Sequence, residues 1–232
     1  MMVRLPYIRI KLCLLLFISL ALNAGAEEAV SNSQPPIKDL GGNQYQVGQI
    51  SIDKNKAQFR VPGKVIRTEP PIEFLAVTKG GMKAYESVLE LEVNAFEFNL
   101  ACILIGLDAE NAVMPDYHFD EKPIKGDRVE VYVEWQENDR TVSIPIAELL
   151  SEGEKEPKPP TSEWVYTGSV FLPDGIYLAA LDGVLIGFVH DPSTIIEHRT
   201  GVGMGSYGSI MVSKKAPALD AQIVVVVSKT GN

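Results

Sequence analysis

Cysteine is almost missing from this chain: of 232 residues, two are cysteine, Cys13 and Cys102. Cys13 lies in an apolar leader, so a processed chain keeps one thiol. One thiol cannot close an internal disulfide, and it excludes cysteine-held zinc and iron–sulfur centres built from this chain alone. Cys102 sits in the apolar run Ala101–Ile105, the setting of a buried, inert thiol. Basic surplus is lacking too. Lys and Arg number 21 against 30 Asp and Glu, a formal charge of −9. An acidic surface repels phosphate backbones and anionic lipid, which argues against a nucleic-acid partner. Beyond the leader no apolar run reaches the stretch of about 20 residues that spans a bilayer. The most apolar, Leu100–Leu107, is far too short.

What is present begins at the amino end. Arg4, Arg9 and Lys11 lead into the apolar run Leu12–Leu22, and Ala24-Gly25-Ala26 follows. This order is that of a secretory signal peptide over residues 1–26, with cleavage expected between Ala26 and Glu27. The expected location is therefore outside the cytoplasm, periplasmic or extracellular in a bacterium. Residues 27–44, with Pro35-Pro36 and Gly41-Gly42, read as a flexible lead-in.

Strand signals dominate from Tyr45 onward. Tyr45–Ile52 and Ala57–Val61 predict a hairpin, and Ile72–Val77 and Tyr85–Leu91 predict further strands. Val129, Val131, Val133 and Trp135 alternate with polar residues, and Val142, Ile144 and Ile146 alternate on the return after a turn at 136–140. Strands are also expected at Trp164–Phe171, Ile176–Ala180, Gly183–Val189 and Ile223–Ser228, with a short helix at Pro192–Glu197. Ser151–Ser162, rich in Glu, Lys and Pro, reads as a surface loop, and Thr200–Ser209 as a glycine-rich loop.

One segment predicts a helix. Asn94 is placed to cap it, and Glu97 three residues on completes a capping box. Phe96, Leu100, Ile103 and Leu107 share one face, Phe98, Cys102 and Ile105 cover another, and Gly106 supplies the stop. A helix apolar on most sides is normally buried. The expected fold is α+β: one domain over 45–230, a mainly antiparallel, curved sheet packed around this central helix, with short extra helical turns.

Chemistry-bearing residues are few. His190, Asp191 and His198, with Glu197, form a His/carboxylate cluster of the donor types that suit zinc. A separation of eight positions from His190 to His198 is not a recognised ligand spacing, and Asp191 also reads as a cap. Gly168-Ser169 lacks the strand–turn–helix setting of a nucleophilic serine. The glycine run Gly201–Gly208 lacks the Gly-Lys-Ser/Thr ending of a phosphate loop. Trp164 and Tyr166 share one strand face, and Tyr85-Glu86 precede the helix. Tyr85, Glu86, Trp164, Tyr166 and Ser169 are the candidates for a ligand or interaction surface. No cofactor is expected.

Several segments in order carry a resemblance: Pro62-Gly63-Lys64-Val65, Tyr85-Glu86-Ser87, Leu104-Ile105-Gly106-Leu107, Gly126-Asp127-x-Val129, Trp164-Val165-Tyr166-Thr167-Gly168-Ser169 and Asp191-Pro192-Ser193-x-Ile195-Ile196. Together they resemble the YdjY domain, a family of exported or envelope bacterial proteins. The resemblance implies a single domain over roughly 45–230 and an extracytoplasmic setting, and it brings no reaction with it. Some relatives carry ferredoxin-type cysteine clusters, which this chain lacks, so no redox role transfers. The expected function is a non-enzymatic extracytoplasmic binding or envelope-associated interaction module, its partner an envelope protein or small ligand. The alternative is an envelope hydrolase, metal-dependent or otherwise, using His190, Asp191 and His198.

Overall fold

Val129, Val131 and Val133, at every second position, give the longest strand an apolar row, and the consecutive valines 224–227 give its neighbour apolar residues on both faces. The computed structural model describes residues 37–152, 160–204 and 208–231. The expected signal peptide, most of the lead-in, and parts of the two expected loops (153–159 and 205–207) lie outside the described residues. In chain order the strands are β1 (Ile37–Gly41), β2 (Gln44–Val47), β3 (Ile50–Asp53), β4 (Gln58–Val65), β5 (Phe74–Thr78) and β6 (Ser87–Leu91). After the helix α1 (Ala95–Leu104) come β7 (Asp127–Glu137), β8 (Arg140–Pro145), β9 (Leu150–Glu152) and β10 (Trp164–Tyr166). The short helix α2 (Leu178–Asp182) precedes β11 (Val184–Gly187), β12 (Ile196–His198), β13 (Ile210–Val212) and β14 (Gln222–Lys229).

Eight strands close on themselves in the order β4, β14, β7, β10, β12, β11, β5, β6 and back to β4. The closing pair sets Gly63 opposite Leu91 and Val65 opposite Leu89. Val61, Val225 and Val133 stand side by side across three strands, as do Phe59, Val227 and Val131. All six are buried and fill the barrel with branched and aromatic side chains. The meander β1–β2–β3 extends the sheet from β4, β8 pairs with β7 outside the ring, and β9 pairs with β13.

This corrects the expected architecture. The fold is mostly β, a closed barrel filled by its own strands, and not an α+β sheet packed around a central helix. α1 lies over one end of the barrel. Its Phe98 meets Phe59 edge-on at 5.3 Å between ring centroids, and its Asn99 Oδ1 accepts a hydrogen bond from the Tyr166 hydroxyl at 2.7 Å. Ala95, Phe98, Ala101 and Cys102 are buried, but Phe96 and Ile103 are 37% and 52% exposed. The sequence pattern misled because a helix apolar on two sides looks the same whether both sides are covered or one is left in water. The capping box itself is present: Asn94 Oδ1 accepts from the Glu97 N–H, and Glu97 Oε2 from the Asn94 N–H.

Local differences follow the same logic. β1 and the first residue of β2 lie within the expected lead-in, and β1 is exposed along its whole length. Tyr85 and Glu86 belong to a 3-10 turn, and the strand begins at Ser87. The strand expected at 176–180 is α2, ended by Gly183 at φ 79°. The helix expected at 192–197 is a loop running into β12. There Asp191 Oδ1 takes the Ser193 N–H at 2.8 Å and its hydroxyl at 2.6 Å, an Asx turn rather than a helix cap.

Candidate functional site

Two features stand out: an aromatic surface over the helical end of the barrel and a cluster of histidines and carboxylates. The surface is built from α1, α2 and the loop before α2. Phe171 stacks on Tyr177 at 4.4 Å, and Phe96 from α1 meets the same ring at 5.2 Å. Tyr177 is buried beneath them, its hydroxyl donating to the Gly168 carbonyl at 2.9 Å. Around this row Phe171, Ile176, Leu181, Ile103 and Phe96 face solvent. Gly168 and Ser169 hold the loop in place. Both adopt left-handed backbone, and Ser169 Oγ lies within donating distance of the Ser193 and Pro192 carbonyls. An exposed aromatic row with further exposed aliphatic side chains on the same elements has the composition of a contact site.

The cluster joins distant parts of the chain. His118 Nδ1 stands 2.7 Å from Asp191 Oδ2, and its Nε2 is 3.1 Å from Glu73 Oε2. The Asp191 and Glu73 hydrogen bonds hold the imidazole pKa up at about 9, against the partial burial that opposes it. Burial pushes the Asp191 carboxyl upward, but bonds from His118 and Ser193 outweigh it and leave the pKa below its usual value. Deeper in, Glu197 is fully buried. Its Oε2 accepts from the Asp191 N–H at 3.2 Å, while Oε1 has no partner among the described residues. Burial raises its pKa well above the carboxylate range.

His190, Asp191 and His198 thus have specific partners. Both ring nitrogens of His190 point at carbonyl oxygens, of Asp120 at 2.5 Å and His198 at 2.9 Å. Carbonyls only accept, so both bonds form only when both nitrogens carry hydrogen, and neither lone pair is then free for a metal. His198 Nε2 sits 2.9 Å from the Thr161 carbonyl, its ring edge-on to Trp164, and burial lowers its pKa. Asp191 is engaged by His118 and Ser193. Among the described residues no group of three or more His, Cys, Asp or Glu is arranged to hold a metal ion.

The five candidate surface residues are dispersed. Tyr85 is exposed. Glu86 is buried and paired with Lys83 at 2.8 Å. Trp164 and Tyr166 are core residues, and Ser169 is a loop anchor beside the aromatic row. Sequence reasoning missed His118 and Glu73, which lie 45 residues apart in isolated polar contexts with no spacing signal. It also missed Phe171 and Tyr177, assigned to strands. The signal for the aromatic surface was nonetheless present, since Phe96 and Ile103 are half of the four-residue apolar face Phe96, Leu100, Ile103 and Leu107.

Fold and surface together define a small β-barrel domain with one helix over an end and an open aromatic face beside it. No described helix is long and apolar enough to cross a membrane. The YdjY domain family model matches residues 50–228, and the chain belongs to that family. No curated protein and no solved structure matches the chain. Two of the resemblance segments now have a physical reason. Gly63 and Gly126 each sit where a neighbouring backbone carbonyl, of Glu90 and Tyr166 respectively, occupies the space of a side chain.

Proposed function

We propose that this protein is an exported, non-enzymatic interaction module that docks an apolar surface of an envelope protein through the helical end of its barrel. One observation supports the reading: Phe96 of α1 and Phe171 both pack on the Tyr177 ring while staying exposed, and Ile103, Ile176 and Leu181 on the same elements are exposed as well. Aromatic and aliphatic anchors on a rigid base are the composition of interface centres. Tyr177 and the Ser169 anchor fix that base before any partner arrives, which lowers the ordering cost of binding. Export rests on the amino-terminal leader and its small-residue cleavage signal.

The test places a photo-crosslinking side chain at position 103 of the full chain, expressed in its native cell. The expected result is a discrete adduct with one envelope protein, lost when Phe96→Ser and Phe171→Ser are combined. Both residues are exposed, so the double variant keeps its thermal midpoint within a few degrees. A missing adduct, or one indifferent to the double variant, overturns the docking surface. Recovery of an uncleaved amino terminus from the cytoplasm overturns the location.

A further inference from the structure

Charge is distributed unevenly around the helical end of the barrel. The two stretches that build the aromatic surface, 93–112 and 164–189, contain no Lys, Arg or His, yet they carry Glu97, Asp108, Glu110, Asp174 and Asp182. Glu97 is committed to the α1 capping box. The other four border the surface. Asp174 occupies the turn between Phe171 and Tyr177, where its Oδ1 accepts the Ile176 N–H at 3.2 Å. Asp182 follows the exposed Leu181 at the end of α2. Asp108 and Glu110 flank Ala109, which packs against Gly168, the residue whose carbonyl receives the Tyr177 hydroxyl. Asp108, Glu110 and Asp174 are exposed, and Asp182 is partly so.

Cations on adjoining elements are already paired. The 3-10 turn meets α2 through the close contact of Gly81 with Gly183, and its Lys83 is held by Glu86 at 2.8 Å. Lys229, beside Gly106, is held by Asp127 at 3.0 Å, and Lys79 by Glu92 at 2.8 Å. Arg128 lines a different groove, with Glu130 and Glu163. Lys125, bridged through its backbone to Val113, meets no carboxylate at ion-pair distance among the described residues. It is a single positive charge against Asp108, Glu110, Asp174 and Asp182, none of which meets a cation at that distance among the described residues. The surface therefore combines exposed Phe, Ile and Leu side chains with a surplus of negative charge. Two copies meeting through this face would set like charges together, and an anionic bilayer would be repelled.

We propose that the segment seated on this surface is a cationic amphipathic stretch of the partner protein, its aliphatic side chains on Phe96, Ile103 and Phe171 and its Lys or Arg residues opposite Asp174, Asp182 and Glu110. This rests on the docking surface proposed above and adds the charge of what docks there. Burial of the apolar side chains supplies most of the affinity, while the carboxylates select among partners and speed encounter. Exposed charge pairs are individually weak, so three of them give a preference of about tenfold. Screening acts over about 8 Å at physiological salt, and the preference should fade as salt rises.

Full-length protein is titrated by calorimetry with two amphipathic helical peptides of about 18 residues, Leu on one face of both, Lys on the other face of the first and Glu on that of the second. The Lys peptide is expected to bind at least tenfold tighter. Combining Asp174→Asn, Asp182→Asn and Glu110→Gln should weaken the Lys peptide about tenfold and leave the Glu peptide no weaker. The amides keep the side-chain shapes and the acceptor for the Ile176 N–H, so this variant keeps its thermal midpoint. Phe96→Ser with Phe171→Ser should lose both peptides. Equal binding of the two peptides, lost in the aromatic variant, overturns the cationic partner and leaves the docking surface standing. Undiminished binding of the Lys peptide by the aromatic variant places it elsewhere on the chain and overturns both. Binding of neither peptide overturns the cationic partner, while the adduct at position 103 decides the docking surface separately. Self-association lost in the aromatic variant, or capture by phosphatidylglycerol vesicles in preference to the Lys peptide, overturns it as well.

Discussion

His118 Nδ1 lies 2.7 Å from Asp191 Oδ2, so the loop after α1 is tied to the turn before β12 by a charged bond. With Glu73 on the other nitrogen, the imidazolium bridges two carboxylates that are themselves buried. Removing it leaves both without their partner, which costs far more than an exposed ion pair contributes.

The sign of the pH dependence follows. The folded pKa of His118 is raised from 6.5 to about 9. Its contribution to stability is therefore complete below about pH 6.5 and is lost as pH rises through 9. Because the side chain is 35% exposed, water screens the interaction, and about 1–2 kcal/mol is the expected size. Asp191 acts on the opposite side: its lowered pKa gives stability above about pH 3.8 that is lost on further acidification. Chemical denaturation of the wild type between pH 6 and 10 should show stability falling, and His118→Gln should flatten that fall. An unchanged slope would remove the bridge from the account.

Glu197 gives the same pH direction from a different cause, a buried carboxyl with no cation beside it. Its carboxyl is held neutral by burial, so its contribution is greatest below about pH 4.5 and declines as pH rises toward its folded pKa. Glu197→Gln keeps the shape and can still accept from the Asp191 N–H, and it cannot ionise. The variant should match the wild type in acid and exceed it in thermal midpoint at alkaline pH. Glu197→Ala leaves a cavity and an unpaired N–H and should be destabilised by about 2 kcal/mol or more at all pH values. A Gln variant less stable than wild type at pH 8 contradicts the neutral carboxyl.

Much of the barrel was legible as strands, because alternation in 129–135 and 142–146 needs no tertiary knowledge. Closure was not legible. It depends on β4 pairing with β6 across Gly63 and Leu91, a contact that leaves no periodic trace. The helix was correctly bounded by Asn94, Glu97 and Gly106, yet its surroundings were misjudged, since periodicity reports which faces are apolar and not which are covered. Short strands such as β12 carry too few residues to alternate. The site showed the same division: Asp191 was visible beside His190, but its actual partner His118 is 73 residues away.

The α1 cap offers a local test. Asn94 and Glu97 satisfy each other's backbone N–H groups, two donors that otherwise end the helix unpaired. Asn94→Ala should cost about 1 kcal/mol, and Asn94→Asp little. Because α1 carries Phe96 and Ile103, the fraying should show in hydrogen exchange at 95–98 before it shows in the barrel strands. Uniform loss of protection across β7 and β14 would mean that the helix end and the barrel unfold together.

Barrel closure rests on a missing side chain. At Gly63 a Cβ would overlap the Glu90 carbonyl oxygen and come within 2.6 Å of a Leu91 methyl, with Ile223 fixed on the other flank. The limit is space, since a backbone atom of the partner strand cannot rotate away as a side-chain tip can. Gly63→Ala must push β6 from β4, and overpacking of this kind costs about 1–3 kcal/mol. Gly126→Ala, against the Tyr166 carbonyl, should cost a similar amount at the helical end of the barrel. The two sites are far apart and share no partner, so their effects should add in the double variant to within about 0.5 kcal/mol. Urea denaturation of the four proteins measures this. Wild-type stability in Gly63→Ala would show that β4 and β6 do not meet where the closed barrel requires.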